Sequence, residues 1–243
     1  MKQSYLEFQR NALNETVGNM NEYDGYDCRL CKNKGLTFHI KDETVVSRLC
    51  VCREKRRALR TIRALSHGEE RKNLDSYVAI KEWQSKIKEG AFRYLGENKS
   101  DWFFIGGQSG CGKTHICTAI SYQLIERQRS LIYMQWVSKA REIKEAIKND
   151  CYSEEIIKYK TCDVLYIDDL FKGGEVSCAD IKIAFDILNS RYLDDKKITI
   201  ISSELTLQEL YEVDEACASR ITERARGYIF NIVRERSKNF RGA

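Results

Sequence analysis

Residues 102–120 read WFFIGGQSGCGKTHICTAI: an apolar run breaks into glycines, then resumes as a helical pattern after a lysine and a threonine. Within it, GQSGCGKT at 107–114 satisfies G-x-x-x-x-G-K-[ST]. Glycines at these spacings let successive backbone N–H groups curl inward around an anion without side-chain clash. A helix over about 113–128 then aims its amino terminus at the same point. A strand before the loop and a helix after it are the context that a phosphate loop needs, and they argue against a chance glycine turn. The phosphate-binding set is Gly107, Gln108, Ser109, Gly110, Cys111, Gly112, Lys113, Thr114 and His115. Lys113 is expected to reach the β- and γ-phosphates, and the Thr114 hydroxyl to ligate Mg²⁺.

Such a loop requires a second Mg²⁺ anchor at the end of a neighbouring strand. DVLYIDDL at 163–170 supplies one: Val164 to Ile167 make a buried strand, and Asp168 stands at its carboxyl end, where open parallel sheets bind ligands. Asp169 is placed to polarise an attacking water as general base. KITIISSELTLQEL at 197–210 is a further buried strand, whose Ser202, Ser203 or Glu204 could face a γ-phosphate, or else cap the next helix. From residue 101 onward, short apolar runs (WFFIGG, LIYMQW, VLYIDD, KITIISS, YIFNIV) alternate with helical stretches. That alternation predicts an α/β fold, a parallel sheet flanked by helices, over 100–243, with a separate region at 1–99 that is polar, then cysteine-bearing, then helical and charged.

No 18-residue apolar run and no signal-peptide pattern is visible, so no membrane partner is expected and the ten cysteines read as reduced thiols of a cytoplasmic protein. The formal charge of +5 is unevenly placed. Residues 53–72 carry eight Lys/Arg against three acids, and residues 219–243 seven against two. Two basic segments on an otherwise acidic body suit contact with a polyanion, although solvated helix faces look the same in composition. Arg220 and Arg224 share one face of an expected helix.

Cys28-x₂-Cys31 and Cys50-x-Cys52 stand 18 residues apart. Two short chelating pairs across a loop are how a chain wraps a tetrahedral Zn²⁺. A region this small buries little core, so the metal would supply folding energy. No catalytic base is near, which makes the expected site structural; His39 is a spare ligand candidate, and four buried thiols without metal are the alternative.

Taken together, residues 101–243 resemble the DnaC/DnaI family of replicative helicase loaders within the AAA+ ATPases. The loop, IDDL, ISSE, SRITER and the terminal NFR carry the resemblance. It implies an AAA+ P-loop ATPase that binds ATP and Mg²⁺, lacks a carboxyl-terminal lid domain, and follows an amino-terminal zinc-binding, partner-binding region. It implies Arg220 as a finger acting on a neighbouring subunit's nucleotide, Arg241 as the second sensor, and Glu204 at the first-sensor position, where the family has asparagine. It also implies weak ATPase activity, self-association through the ATP sites, and a replicative DNA helicase and single-stranded DNA as partners. On that analogy Lys139, Arg141, Lys144 and Lys148 form a candidate strand-binding helix. The cysteine-rich amino terminus looks most like Gram-positive bacterial and phage loaders. Two alternatives are an IstB-like transposition ATPase, whose core is closely similar, and a nucleotide-gated adaptor that needs little hydrolysis.

Overall fold

The structure, a computed structural model, describes residues 2–65, 72–97, 100–173, 175–235 and 238. The chain divides into two compact units, Met1–Ala64 and Leu65–Ala243.

In the first unit, α1 (Lys2–Glu15) is followed by a single turn, α2 (Asn21–Asp24), a hairpin of β1 (Leu36–Lys41) and β2 (Thr44–Leu49), and α3 (Cys52–Leu65). The stretch between the two cysteine pairs is therefore a hairpin. Its strands pair antiparallel from Leu36↔Leu49 to Lys41↔Thr44. Asp42 and Glu43 turn the chain with φ of 48° and 56°, the positive values a two-residue hairpin loop demands. The Asn14 side chain ties α1 to this hairpin, donating to the Phe38 carbonyl at 2.9 Å and accepting from the Phe38 N–H at 3.0 Å. Among the described residues of this unit, the four cysteines form one buried cluster with Tyr26 packed against them.

The second unit holds α4 (Glu82–Glu97), β3 (Phe103–Gly107), α5 (Lys113–Glu126), β4 (Leu131–Gln135), α6 (Trp136–Lys148), α7 (Tyr152–Thr161), β5 (Val164–Leu170), α8 (Cys178–Tyr192), β6 (Ile198–Ser203), α9 (Leu207–Val213), α10 (Glu215–Arg224) and β7 (Ile229–Ile232). The expected strands all form. They make one parallel sheet in the order β4-β5-β6-β3-β7. Helices cover it, so strands such as β3 are buried throughout and read as unbroken apolar runs. One core cluster joins Phe104, Met134, Leu165, Ile167 and Ile201 of the sheet to Ile143, Ile187 and Ile221 of the helices.

The boundary expected near residue 100 falls earlier, at 64/65, because α4 belongs with the sheet. Its Ile87, Ala91, Tyr94 and Leu95 are buried. Tyr94 meets Phe103 edge-on at 5.3 Å and Tyr228 at 4.9 Å. Gly90 lies so close to Phe230 that an added Cβ would stand 2.2 Å from the ring.

The order of the strands also changes the layout of the site. The strand ending in Asp168 does not neighbour the loop strand; β6 lies between them and pairs with both. The end of β6 is thereby set midway between the glycine loop and the two aspartates.

Candidate functional site

The loop follows β3 directly, and Gly112 is the residue before α5. Gly107 and Gly112 have φ of 134° and 89°, which L side chains rarely adopt. A Cβ on Gly107 would also sit 2.2 Å from the Ile232 carbonyl oxygen, so the loop admits no larger residue there. The buried Lys113 folds back along the loop and donates to the carbonyls of Gly107 and Gln108, each at 2.7 Å. Cys111 is buried and donates from Sγ to the Gln108 carbonyl at 2.9 Å. His115 contacts the segment before α4, with Nε2 2.9 Å from the Asn73 carbonyl and its ring edge-on to Tyr77.

Asp168 is buried at the end of β5. Its Oδ1 accepts from Ser202 Oγ at 2.5 Å and Tyr166 Oη at 2.8 Å, and its Oδ2 accepts from Tyr133 Oη at 2.9 Å. Burial, and then the charge of Asp168, push both phenols well above their ordinary pKa, so they remain donors. Thr114 Oγ1 lies 3.5 Å from Asp168 Oδ1. Two hard oxygen donors, one from the loop and one from β5, thus face each other as Mg²⁺ coordination requires.

At Asp169 the ladder slips: the β5–β6 register shifts between Ile167 and Leu170, and Asp169 has φ of 58°. This bulge turns Asp169 out of the sheet and into the cleft. Its N–H donates to Ser202 Oγ at 2.9 Å, and its carboxylate pairs with Lys172 at 2.8 Å. The same ammonium reaches Glu204 at 3.1 Å. Burial lowers the pKa of Lys172, but the hydrogen bonds to Asp169 and Glu204 outweigh it and leave the group raised. Ser109, Gly110, Gly112, Lys113, Thr114, His115, Asp169, Lys172, Glu204 and Lys72 line one cleft of about 190 Å³.

Of the three candidates in SSE, only Glu204 faces this cleft. Ser202 turns inward to Asp168, and Ser203 donates to the Leu170 carbonyl at 2.8 Å. The helix cap falls further on, at Thr206, which forms a capping box with Glu209. Arg220 is not among the lining residues. It lies on α10, half-buried, stacked 4.7 Å over Phe185 and bonded to Asn189 Oδ1 at 2.9 Å. Arg224 is built into the fold instead, donating to the carbonyls of Tyr192, Asp194, Asp195, Ser100 and Lys197. Arg241 lies outside the described residues. In the basic helix α6, Lys139 pairs with Glu142 and Lys144 with Asp180, each at 2.7 Å, which neutralises two of the four cations expected to face DNA. Lys172, Tyr133 and Tyr166 were not singled out from sequence. The last two lie inside apolar strand runs, and Lys172 follows Asp169 by three residues, the one local hint.

The first unit brings its four cysteines together, all buried, with the sulfurs within 4.8 Å of one another. Cys28 and Cys50 stand 3.8 Å apart, and Cys31 and Cys52 3.5 Å. Tetrahedral sulfurs on Zn–S bonds of about 2.3 Å are about 3.8 Å apart, so the cluster fits that ion. The first pair sits on a tight turn, with positive φ at Lys32, Asn33 and Gly35; Cys52 opens α3. Burial would raise the Cys31 thiol, but the Gly35 N–H and the neighbouring sulfurs bring it down to about 7. Burial keeps Cys50 and Cys52 raised. The fully buried Arg56 bonds Cys52, pairs with Asp24 at 2.6 Å and stacks on Tyr26, placing positive charge beside the thiols. His39 is on the hairpin, 3.0 Å from Thr37 Oγ1, and is not one of the cluster. No helix among the described residues is long and apolar enough to cross a membrane.

A glycine loop between a parallel strand and a helix amino terminus, an aspartate at the end of the next strand but one, and a third strand between them define a P-loop ATPase of the AAA+ class. The chain belongs to the IstB-like ATP binding protein family, whose model matches residues 23–227. It is 30% identical over 222 residues to the phage-like element PBSX protein XkdC of Bacillus subtilis (strain 168), covering 85% of this chain and 82% of that one. A crystal structure of DnaI aligns at 26% identity and TM-score 0.55, covering 67% of this chain and 90% of that one. The replication initiator DnaA bound to AMPPCP and single-stranded DNA aligns at 26% identity and TM-score 0.55, over 69% of this chain but only 50% of DnaA.

Proposed function

We propose that this ATPase loads a replicative DNA helicase onto single-stranded DNA, with ATP bound and hydrolysed at subunit interfaces to control assembly and release. The observation that carries the reading is the DnaI likeness over 90% of that chain, joined to a separate cysteine-clustered unit that can grip a partner. Lys113 and the loop amides of 107–114 bind the phosphates. Thr114 and Asp168 would hold Mg²⁺, which when bound offsets phosphate charge. Ser202, Tyr133 and Tyr166 fix the Asp168 carboxylate, and Asp169 accepts the proton of the attacking water. Because Arg220 does not line its own subunit's cleft, its action at a phosphate requires a neighbouring subunit, hence self-association. Cys28, Cys31, Cys50 and Cys52 would hold a structural Zn²⁺, cross-linking the knuckle to α3.

The test is capture of the host's replicative helicase by the full chain with ATP, with ADP and without nucleotide. ATP-dependent capture, lost in Lys113→Ala, supports the reading; no capture in any state overturns it. Losing the charged contacts of Lys113 should weaken nucleotide binding by about 100-fold. The family match favours one second reading, a transposition ATPase, for which the same capture would retrieve a transposase. Metal analysis should find one zinc per chain, absent in Cys31→Ser. Zinc takes the thiolate form of these cysteines, so its affinity should fall steeply as the pH is lowered, read by competition with a chelator across pH.

A further inference from the structure

The wall of the cleft formed by the ends of β5 and β6 bears two acids, Asp169 and Glu204, facing the place where the loop would hold a polyanion. Carboxylates only accept hydrogen bonds and repel phosphate oxygens. Where Glu204 stands, at the end of the strand between the loop and Asp168, a group that senses a phosphate must donate, and Glu204 cannot. Lys172 can. Its ammonium carries three protons, of which Asp169 at 2.8 Å and Glu204 at 3.1 Å engage two. The backbone is bent to bring it there. Phe171 has φ of 60°, a left-handed conformation that a bulky residue rarely adopts. Burial of its ring, edge-on to Trp136 at 5.4 Å, holds it in place. The Lys172 N–H then closes a turn onto the Asp169 carbonyl at 3.0 Å, laying the side chain back over the cleft. An uncommon backbone conformation beside the cleft, next to the one residue whose ammonium lies over both acids, points to a role for that cation in the site.

We propose that Lys172, oriented by Glu204, contacts the terminal phosphate of the bound nucleoside triphosphate from within the same subunit, so that the site tells triphosphate from diphosphate. The lysine–glutamate pair does the work of a single neutral donor: Glu204 positions, Lys172 touches. This rests on the loop of 107–114 being a triphosphate site. Lys113, drawn onto the Gly107 and Gln108 carbonyls, serves the loop side of the same cleft.

The experiment measures equilibrium binding of Mg-ADP and Mg-AMPPCP to the full chain and to Lys172→Met, Lys172→Arg and Glu204→Gln. Lys172→Met should weaken AMPPCP by about 10–100-fold, the value of a hydrogen bond between charged groups. ADP should stay within about twofold, which also certifies the fold. Lys172→Arg should restore most of the preference, and Glu204→Gln should lose a smaller part of it. Equal weakening of both nucleotides, or of neither, overturns the proposal. Should Lys172→Met not fold, Lys172→Gln carries the same comparison. A wild-type chain that binds neither nucleotide would overturn the triphosphate site itself, a result distinct from loss of the preference alone.

Discussion

The two ends of the parallel sheet treat positive charge in opposite ways. At the amino-terminal ends, the fully buried Arg191 donates to the carbonyls of Tyr159, Cys162, Asp163 and Ile198 and to Thr199 Oγ1. Arg224 binds five carbonyls beside it, and Arg129 forks onto both oxygens of Asp163 at 2.5 and 2.6 Å. These guanidiniums are held by fixed carbonyls, a hydroxyl and one carboxylate of the fold, most deeply at Arg191. At the carboxyl-terminal ends, Lys113 rests on two loop carbonyls, and Lys172 on two carboxylates that line a cleft. On the proposed reading, phosphate oxygens take the place of those partners when nucleotide binds. A basic residue in this fold is thus structural or functional according to whether its acceptors can be given up.

The difference can be broken at several points. Arg191→Met should cost the most, about 3–5 kcal/mol in urea unfolding, because it leaves buried carbonyls with no donor. Arg224→Met should cost about 2–3 kcal/mol by the same measure, since its partners are part-buried. Arg129→Met, removing a pair one-third exposed on both sides, should cost about 1 kcal/mol or less. Lys172→Met should cost least, under about 1 kcal/mol. If Lys172→Met instead destabilised the chain as much as Arg191→Met, the ammonium would be part of the scaffold and the contrast would fail. Tyr133→Phe sharpens it from the acid side: removing one of the donors to Asp168 should weaken Mg-dependent nucleotide binding by only a few-fold, read by titration with and without Mg²⁺.

The functional end was legible in sequence where the signal is local. A glycine pattern after an apolar run, and paired aspartates ending another, are written in consecutive residues. What escaped depends on residues distant in the chain. That β6 inserts between β3 and β5 is decided by how whole strands pack, and no window of sequence contains it. Lys172 gained its place from a bulge and from a left-handed phenylalanine, which propensity argues against. The hairpin within the cysteine loop was hidden because Asp42 and Glu43 turn it without the glycine that usually announces such a turn. Arg220 and Arg224, alike in spacing, were told apart only by their surroundings: stacked aromatics for one, a ring of carbonyls for the other.

The Gly90–Phe230 contact reaches beyond the site. It presses a helix that precedes the sheet against the sheet's last strand, so the unit is closed by its own two extremities. A fragment excised at residue 100, where the apolar alternation begins, would strip that helix away and bare Phe103, Tyr228 and Phe230 to water; it should precipitate. One begun at residue 65 keeps the clasp fastened and should melt as a single cooperative body. The same clasp leaves no room for growth: a methyl group at position 90 would meet the Phe230 ring, which must move to admit it.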